Sequence, residues 1–161
     1  MIIREAQVKD VESIVNININ GWIETYRGIF PDEFLDSLNE KKIKNMENCK
    51  SRINEYIVCE IENKVVGFLK FGKNKKNYNE KYAEVYALYV DSKYKRMGIG
   101  RKLLEYSFNK LKDSYDNVLI STLQENSANK FYKKCGGKQI DTCYFKLGNN
   151  EYKENLYLFD L

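Results

Sequence analysis

Residues 83–101 read AEVYALYV followed directly by DSKYKRMGIGR. The first eight of them, Ala83–Val90, are almost all apolar, which predicts a buried central strand. Gly98 and Gly100 lie in the loop after this strand, and a segment with helical periodicity runs from Gly98 to Asp113. A strand, a glycine-containing loop and a helix in direct succession are typical of α/β proteins.

The loop at residues 91–101 has the properties of an anion-binding site. A glycine-rich loop before a helix exposes backbone N–H groups at the positive end of the helix dipole, where phosphate commonly binds. One acidic residue, Asp91, stands against five basic residues: Lys93, Lys95, Arg96, Arg101 and Lys102. The alternative is that Gly98 and Gly100 only permit a tight turn and that the basic side chains are solvated.

Two familiar phosphate motifs do not describe this loop. The chain contains no G-x-x-x-x-G-K-[ST] run, so it has no P-loop. Leu103 stands where the dinucleotide fingerprint requires its third glycine. The loop therefore indicates a phosphate site of another kind.

Around this unit the sequence predicts alternating strands and helices. An apolar stripe at helical spacing predicts a helix from Val11 to Tyr26, and Pro31-Asp-Glu opens a second helical region that runs to Ile53. The polar segment Gly72–Lys81 predicts a solvated hairpin loop. The other predicted elements are strands at Ile2–Ala6, Tyr56–Ile61, Val65–Phe71 and Val118–Leu123, a helix at Ser127–Cys135 and a closing hairpin of Lys138–Leu147 and Glu151–Phe159.

This order predicts an α/β fold with a mixed sheet and helices on both faces. The length of 161 residues and the lack of a Gly/Ser-rich linker predict a single domain over residues 1–161.

Composition excludes several kinds of chemistry. The chain has no histidine, so it can form neither a Ser-His-Asp triad nor a His-ligated metal site. Its four cysteines form no C-x-x-C pair, which argues against a structural zinc, and we expect no metal. The remaining candidates for catalysis are Tyr, Asp, Glu, Lys, Cys and Ser side chains, the backbone, or a cofactor.

Charge and hydropathy favour a cytoplasmic protein without specific nucleic-acid binding. With 27 basic and 23 acidic residues the net charge is only +4. No apolar run approaches the ~20 residues of a membrane helix, and charged residues occupy the N-terminus where a signal peptide would be apolar. We therefore expect no membrane association; the sequence leaves homo-oligomerisation open.

Two motifs resemble those of the GNAT N-acetyltransferase superfamily. Lys95-x-x-Gly98-x-Gly100 resembles its acetyl-CoA loop, [Q/R]-x-x-G-x-[G/A], with Lys in place of Gln or Arg. Glu125-Asn126-Ser-Ala128-Asn-Lys-Phe131-Tyr132-Lys-Lys-Cys-Gly136 resembles its N-x-x-A-x-x-F-Y-x-x-x-G helix, except that one residue separates Asn126 from Ala128. The resemblance implies acetyl-CoA as cosubstrate, bound by Leu88, Val90, Lys95, Arg96, Met97, Gly98, Ile99, Gly100, Arg101 and Asn126.

The resemblance also implies catalytic roles for two residues. Tyr132 matches the general acid that protonates the leaving thiolate; the alternative is a core tyrosine on an amphipathic helix. Glu84 is the candidate base for the amine proton, directly or through water; the alternative is a salt-bridged structural glutamate. The Leu88 amide would polarise the thioester carbonyl. We also expect Asn126 to cap the helix that follows it.

The acceptor is less constrained than the cosubstrate. Trp22 and Tyr26 resemble aromatic residues that some GNAT members place beside the acceptor, although their helical spacing also fits a core position. The leading hypothesis is acetylation of a primary amine on a small molecule. Protein lysine or N-terminal acetylation is the alternative within the superfamily, and a non-catalytic CoA-binding or nucleic-acid-binding module is the alternative outside it.

Overall fold

The computed structural model describes all 161 residues, which form five α-helices and one seven-stranded sheet. The helices are α1 (Val11–Tyr26), α2 (Asp32–Asp36), α3 (Lys42–Ser51), α4 (Ile99–Leu111) and α5 (Ala128–Lys134). The strands are β1 (Ile2–Glu5), β2 (Tyr56–Ile61), β3 (Lys64–Lys73), β4 (Tyr82–Val90), β5 (Asn117–Leu123), β6 (Lys138–Leu147) and β7 (Asn150–Asp160).

The sheet is mixed, as the sequence predicts. Its strand order is β1-β2-β3-β4-β5-β7-β6. β4 and β5 run parallel, whereas β1–β2, β2–β3, β5–β7 and β6–β7 are antiparallel pairs. The turn between β2 and β3 has positive φ at both Glu62 and Asn63, the geometry of a two-residue hairpin turn that matches strand twist.

The second helical region is interrupted. The sequence predicts this region as two pieces, one opened by Pro31 and one over Asn39–Ile53, and the structure has α2 and α3 with a 3₁₀ segment, Ser37–Lys41, between them. The reason is the scarcity of apolar anchors, since Cys49 is the one buried residue of α3. A helix with so small a buried face receives little tertiary support over its length.

Residues 1–70 and 87–107 form one compact unit. Phe68 of β3 packs in an apolar cluster with Ile14 and Val15 of α1. At the adjacent Gly67, an added Cβ would lie 3.3 Å from the side chain of Ile99 in α4. Because successive strand residues face opposite sides of a sheet, α1 and α4 cover opposite faces within this unit, which confirms that expectation.

Residues 71–86 and 108–161 form the other compact unit. Its core joins β5 to β7, with Leu119 and Tyr157 fully buried. The loop between β3 and β4, expected to be a solvated hairpin loop, is held together by hydrogen bonds of Asn74. The Asn74 side chain accepts hydrogen bonds from the Lys76 and Tyr78 amides and donates to two backbone carbonyls. A single domain over residues 1–161 stays a prediction.

None of the five helices combines the length and apolar character needed to cross a membrane.

Candidate active site

The glycine loop ends where α4 begins. The amide of Lys102 donates to the Gly98 carbonyl over 3.1 Å, which is the first hydrogen bond of the helix. The amides of Ile99, Gly100 and Arg101 precede it and have no acceptor inside the helix. Since α4 spans 13 residues, its dipole adds positive potential at these N–H groups. The backbone here is that of a regular helix start, and anion binding at it stays a prediction.

Gly98 is required by backbone conformation rather than by lack of space. Its φ is +77°, in the left-handed region that side chains rarely adopt. A Cβ added there would meet no protein atom within 4 Å, so a side chain would project into open space beside the loop. The absence of a side chain leaves the helix start accessible to a ligand.

The loop is attached to its unit by short contacts on both sides. The Asp91 amide donates to the Val66 carbonyl over 2.9 Å, and the Asp91 side chain accepts from the Lys93 amide over 3.0 Å. Ile99 is buried against Gly67, where no Cβ intervenes. These contacts hold the loop on the end of β4 before any ligand arrives.

Lys95 has a carboxylate partner. Its ammonium lies 3.1 Å from the Glu24 carboxylate of α1, and both side chains are exposed. An exposed ion pair of this kind contributes ~0–1 kcal/mol, so a phosphate can compete for the lysine at little cost. Arg96 and Met97, the next two loop residues, are also exposed.

Leu88 and Val90 are half-buried near the end of β4. The ladder between β4 and β5 runs from Tyr82 opposite Asn117 to Val85 opposite Ile120. Leu88 and Val90 lie beyond the last of these pairs.

Glu84 is buried at the start of β4 and is held by the preceding loop. Its Oε2 accepts a hydrogen bond from the Lys75 amide over 2.8 Å, and its Oε1 lies 3.7 Å from the Lys76 ammonium. This is the geometry of the salt-bridged alternative. The signal that sequence reasoning missed is Lys76, in a segment expected to be a solvated loop; the bond from Lys75 comes from its backbone and leaves no mark in the sequence.

Lys76 also approaches a thiol. Its ammonium lies 3.9 Å from Cys143 Sγ, which is 3.5 Å from the Glu154 carboxylate. Burial, more than these neighbours, raises the pKa of Cys143 to about 11. Burial likewise raises the pKa values of Cys49 and Cys59. All four cysteines are free, and these three are poor nucleophiles at neutral pH because the thiol form dominates.

Tyr132 lies in the aromatic core of the second unit. It is 7% exposed, and its ring centroid is 5.3 Å from Phe131, 6.0 Å from Tyr157 and 6.5 Å from Phe159. The ring therefore has the packing that the core alternative expects, which fixes it in place without defining what its hydroxyl does.

Asn126 was expected to cap α5, but the N-cap position is occupied by Ser127, one residue later, and Asn126 lies just before it. Its Oδ1 accepts a hydrogen bond from the Ala128 amide over 2.8 Å, at the first residue of the helix. Three residues further on, Asn129 makes five side-chain hydrogen bonds that sequence reasoning missed. No local pattern identifies it, because its partners on β7 are 26 and 28 positions away.

Trp22 and Tyr26 belong to an aromatic cluster at the end of α1. Their rings are 5.1 Å apart, and Tyr26 stacks on Phe30 at 4.6 Å. Phe34 of α2 completes the cluster, 6.1 Å from Trp22. Trp22 and Tyr26 remain half-buried, whereas the fully buried residues of α1 lie between Val11 and Ile19. Sequence reasoning missed Phe30 and Phe34, which follow the turn at Gly28.

The candidate residues are distributed over both units. The glycine loop, Leu88, Val90 and the aromatic pair lie in the first unit; Glu84, Asn126 and Tyr132 lie in the second. No group of three or more His, Cys, Asp or Glu side chains is arranged to hold a metal ion.

Comparison with known proteins gives consistent similarities. The sequence model of the acetyltransferase (GNAT) family matches residues 19–137. The uncharacterized N-acetyltransferase YuaI of Bacillus subtilis is 25% identical over 153 residues, covering 94% of this chain and 88% of the relative. An N-alpha-acetyltransferase of Sulfurisphaera tokodaii is 29% identical over 162 residues, covering 93% and 89%.

Among solved structures, the PaiA N-acetyltransferase from Thermoplasma acidophilum in complex with coenzyme A has the same fold. Its TM-score is 0.79 at 20% identity, with 99% of this chain and 98% of that chain covered.

Proposed function

Since this chain belongs to the acetyltransferase (GNAT) family and is an acyltransferase, we propose that it transfers the acetyl group of acetyl-CoA to a primary amine of a small molecule. Transfer occurs by direct attack of the amine on the thioester while both substrates are bound. The observation that carries this proposal is the helix start at Gly98, where the first amides of α4 have no acceptor inside the helix and a Cβ at Gly98 would meet no protein atom within 4 Å, which suits a diphosphate. The coenzyme A complex of PaiA supports it.

The cosubstrate is bound by the loop Lys95–Arg101 and the end of β4. The amides after Gly98 donate hydrogen bonds to the diphosphate, and Arg96 and Arg101 add positive charge. Lys95 adds charge as well once it leaves its exposed ion pair with Glu24. The backbone of Leu88 and Val90 pairs with the pantetheine arm, and the Leu88 amide polarises the thioester carbonyl. Asn126 adds a side-chain contact to the cosubstrate. Because the backbone supplies most donors, Lys95 in the place of Arg or Gln is compatible with binding.

The acceptor must lose a proton before it attacks. An alkylamine has a pKa near ~10.4 in water and is mostly charged at neutral pH. Glu84, directly or through a water, accepts this proton, and Tyr132 protonates the departing thiolate. A phenol of pKa ~10 gives its proton to a thiolate whose conjugate acid has pKa ~8.5, which is slightly uphill and calls for help from the surroundings. Trp22 and Tyr26 border the acceptor.

A second candidate function is acetylation of a protein N-terminus. The name of the Sulfurisphaera tokodaii relative, an N-alpha-acetyltransferase, favours it. Both reactions use the same cosubstrate and differ only in the acceptor. We place either activity in the cytoplasm, where the four free cysteines stay reduced.

A thiol-release assay decides between these functions. The intact chain is incubated with acetyl-CoA and, in parallel, with small primary amines, aminoglycosides and short peptides. We expect CoA release that depends on a small amine, with acetylated amine detected by mass spectrometry. Release with peptides alone would establish the second candidate, and no release with any acceptor would contradict both.

A further inference from the structure

Asn129 of α5 uses its whole amide group in hydrogen bonds that join three elements. Its Nδ2 donates to the backbone carbonyls of Leu123 over 2.8 Å, Gln124 over 3.2 Å and Asn126 over 2.7 Å. The amide nitrogen has two N–H groups and three carbonyl acceptors, so at least one N–H is shared between two carbonyls. The Asn129 side chain is thus hydrogen-bonded both to the end of β5 and to the turn that follows it.

The oxygen of the same side chain is equally occupied. Asn129 Oδ1 accepts from Asn155 Nδ2 over 2.9 Å and from the Tyr157 hydroxyl over 2.8 Å, both on β7. Asn155 Oδ1 accepts in turn from Gln124 Nε2 and Gln139 Nε2 at 3.0 and 2.9 Å. The network therefore connects β5, β6 and β7 to the first turn of α5.

The helix attached by this network carries Tyr132. α5 has only seven residues, and so short a helix depends on tertiary contacts for its orientation. Tyr157 contacts both residues of interest, since its hydroxyl bonds Asn129 and its ring packs 6.0 Å from that of Tyr132. A change at Asn129 is transmitted to Tyr132 along one turn of helix and through the shared Tyr157 ring.

We propose that Asn129 is a positioning residue for acetyl transfer, which sets the place of the Tyr132 hydroxyl by tying β5 and β7 to the start of α5. The inference rests on the proposed function, in which Tyr132 protonates the thiolate. A displacement of ~1 Å at a catalytic group can cost ~10²-fold in rate, so a device that fixes α5 has a measurable consequence.

The test is a double-mutant cycle on kcat. Asn129→Ala removes all five hydrogen bonds, and we expect kcat to fall roughly tenfold in the otherwise wild-type chain. In the Tyr132→Phe background the same substitution should lower kcat by less than about twofold, because no hydroxyl remains to be misplaced. A residue with a merely structural role would lower kcat by equal factors in both backgrounds, which would overturn the proposal.

Asn117→Ala is the matched control. Asn117 stands at the other end of β5, where its Nδ2 donates to the Phe159 carbonyl over 3.3 Å and to the Asp160 carboxylate over 2.9 Å. The substitution removes an asparagine that bridges the same two strands but does not contact α5. We expect its kcat to stay within about twofold of wild type.

A gentler variant covers the case in which Asn129→Ala does not fold. Tyr157→Phe removes only the hydroxyl that donates to Asn129 and keeps the ring that packs on Tyr132. We expect a smaller fall in kcat that again disappears in the Tyr132→Phe background. An equal fall in both backgrounds would count against the proposal.

A readout independent of turnover separates this inference from the proposed function. In protein labelled with ¹³C-tyrosine, the Tyr132 resonance is assigned by its loss in Tyr132→Phe. We expect it to shift in Asn129→Ala and in Tyr157→Phe and to stay in place in Asn117→Ala. If the wild-type chain transfers no acetyl group, the proposed function fails, yet this resonance still decides whether Asn129 positions Tyr132. An unmoved resonance in a folded Asn129→Ala variant overturns the inference.

Discussion

At the residue scale, removing the Tyr132 hydroxyl while keeping its ring distinguishes a catalytic role of this residue from a packing role. Tyr132→Phe keeps the ring that packs against Tyr157 and Phe159, so the variant should fold and bind acetyl-CoA nearly as well as wild type. General acid catalysis is typically worth ~10²–10⁴-fold, and we expect kcat to fall roughly tenfold or more with little change in KM. Melting temperature and kcat measured on one preparation check this.

A structural hydroxyl would give the opposite result. Loss of one buried hydrogen bond costs about 1 kcal/mol of unfolding free energy and leaves turnover unchanged. A Tyr132→Phe variant with wild-type kcat would remove Tyr132 from the mechanism and leave thiolate protonation to solvent.

Glu84 has two possible roles that one substitution distinguishes. Glu84→Gln keeps an oxygen for the Lys75 amide but cannot accept a proton. If Glu84 is the base, we expect kcat to fall by about 10²-fold, since base catalysis is worth ~10²–10⁴-fold. The matched control is Lys76→Gln, which removes the ion pair and leaves the carboxylate in place.

If Glu84 only anchors the loop between β3 and β4, its substitution should have the same effects as substitution of its ion-pair partner Lys76. Glu84→Gln and Lys76→Gln would then lower the melting temperature by similar amounts with kcat unchanged. Steady-state rates of both variants across a pH series, beside their melting curves, settle the role of Glu84.

Some of these residues can be predicted from the sequence because they lie in local patterns, whereas others cannot because their contacts form only on folding. Gly98 and Tyr132 stand in local patterns, where a few neighbours are enough to predict a loop or a helix. The lysines that hold Glu84, the phenylalanines beside Trp22 and the partners of Asn129 meet only after the chain has folded. Composition and spacing carry no signal for contacts of that kind.

At the element scale, strands with strong alternation or bounding turns are predicted well. The bounds of β2 and β6 agree with the structure at both ends, and α1 follows its apolar stripe to Tyr26. The polar region after Pro31 was the least predictable, because its helices bury few side chains. The place of β7 between β5 and β6 is a long-range pairing that hydropathy does not determine.

The start of α1 is attached to β1 by an ion pair between the buried Asp10 and the partly exposed Arg4, and this pair makes stability depend on pH. Asp10 is buried and receives hydrogen bonds of 2.7 and 2.9 Å from the Arg4 guanidinium and of 2.7 Å from the Gln7 amide. Burial raises the pKa of Asp10, but the bonds from Arg4 and Gln7 outweigh it and lower that pKa below its ordinary 3.8. The resulting stability is present above pH 3.8 and is lost as pH falls through the folded-state pKa.

Asp10→Asn should reveal this contribution in urea unfolding. Near pH 7 we expect the unfolding free energy to fall by about 2 kcal/mol, the order of a hydrogen-bonded charge. The gap between variant and wild type should narrow as the pH falls below about 3.8, because the carboxylate is protonated first in the unfolded chain and then in the folded wild type. Asp113→Asn, at an exposed position, is the control and should leave stability unchanged. A gap that stays constant with pH would contradict the role of the ionised carboxylate.

At the scale of the whole molecule, net charge limits binding to nucleic acids. A balance of 27 basic against 23 acidic residues supplies no broad positive surface potential. We expect weak, non-specific binding of duplex DNA or single-stranded RNA that disappears steeply as salt is raised, measured by fluorescence anisotropy. A tight, sequence-selective complex at physiological ionic strength would instead favour the nucleic-acid-binding alternative.

Calorimetric titration of CoA into the intact chain tests the central claim most directly. The wild-type chain should bind CoA at one site, and Gly98→Val should weaken binding by roughly tenfold or more, about 1.4 kcal/mol, because the new side chain occupies the open space over the helix start. Gly148→Val is the matched control, since Gly148 also has positive φ and open surroundings but lies in the β6–β7 turn. Unchanged CoA affinity in a folded Gly98→Val variant, or an equal loss in Gly148→Val, would contradict the assignment of the acetyl-CoA site to the Gly98 loop.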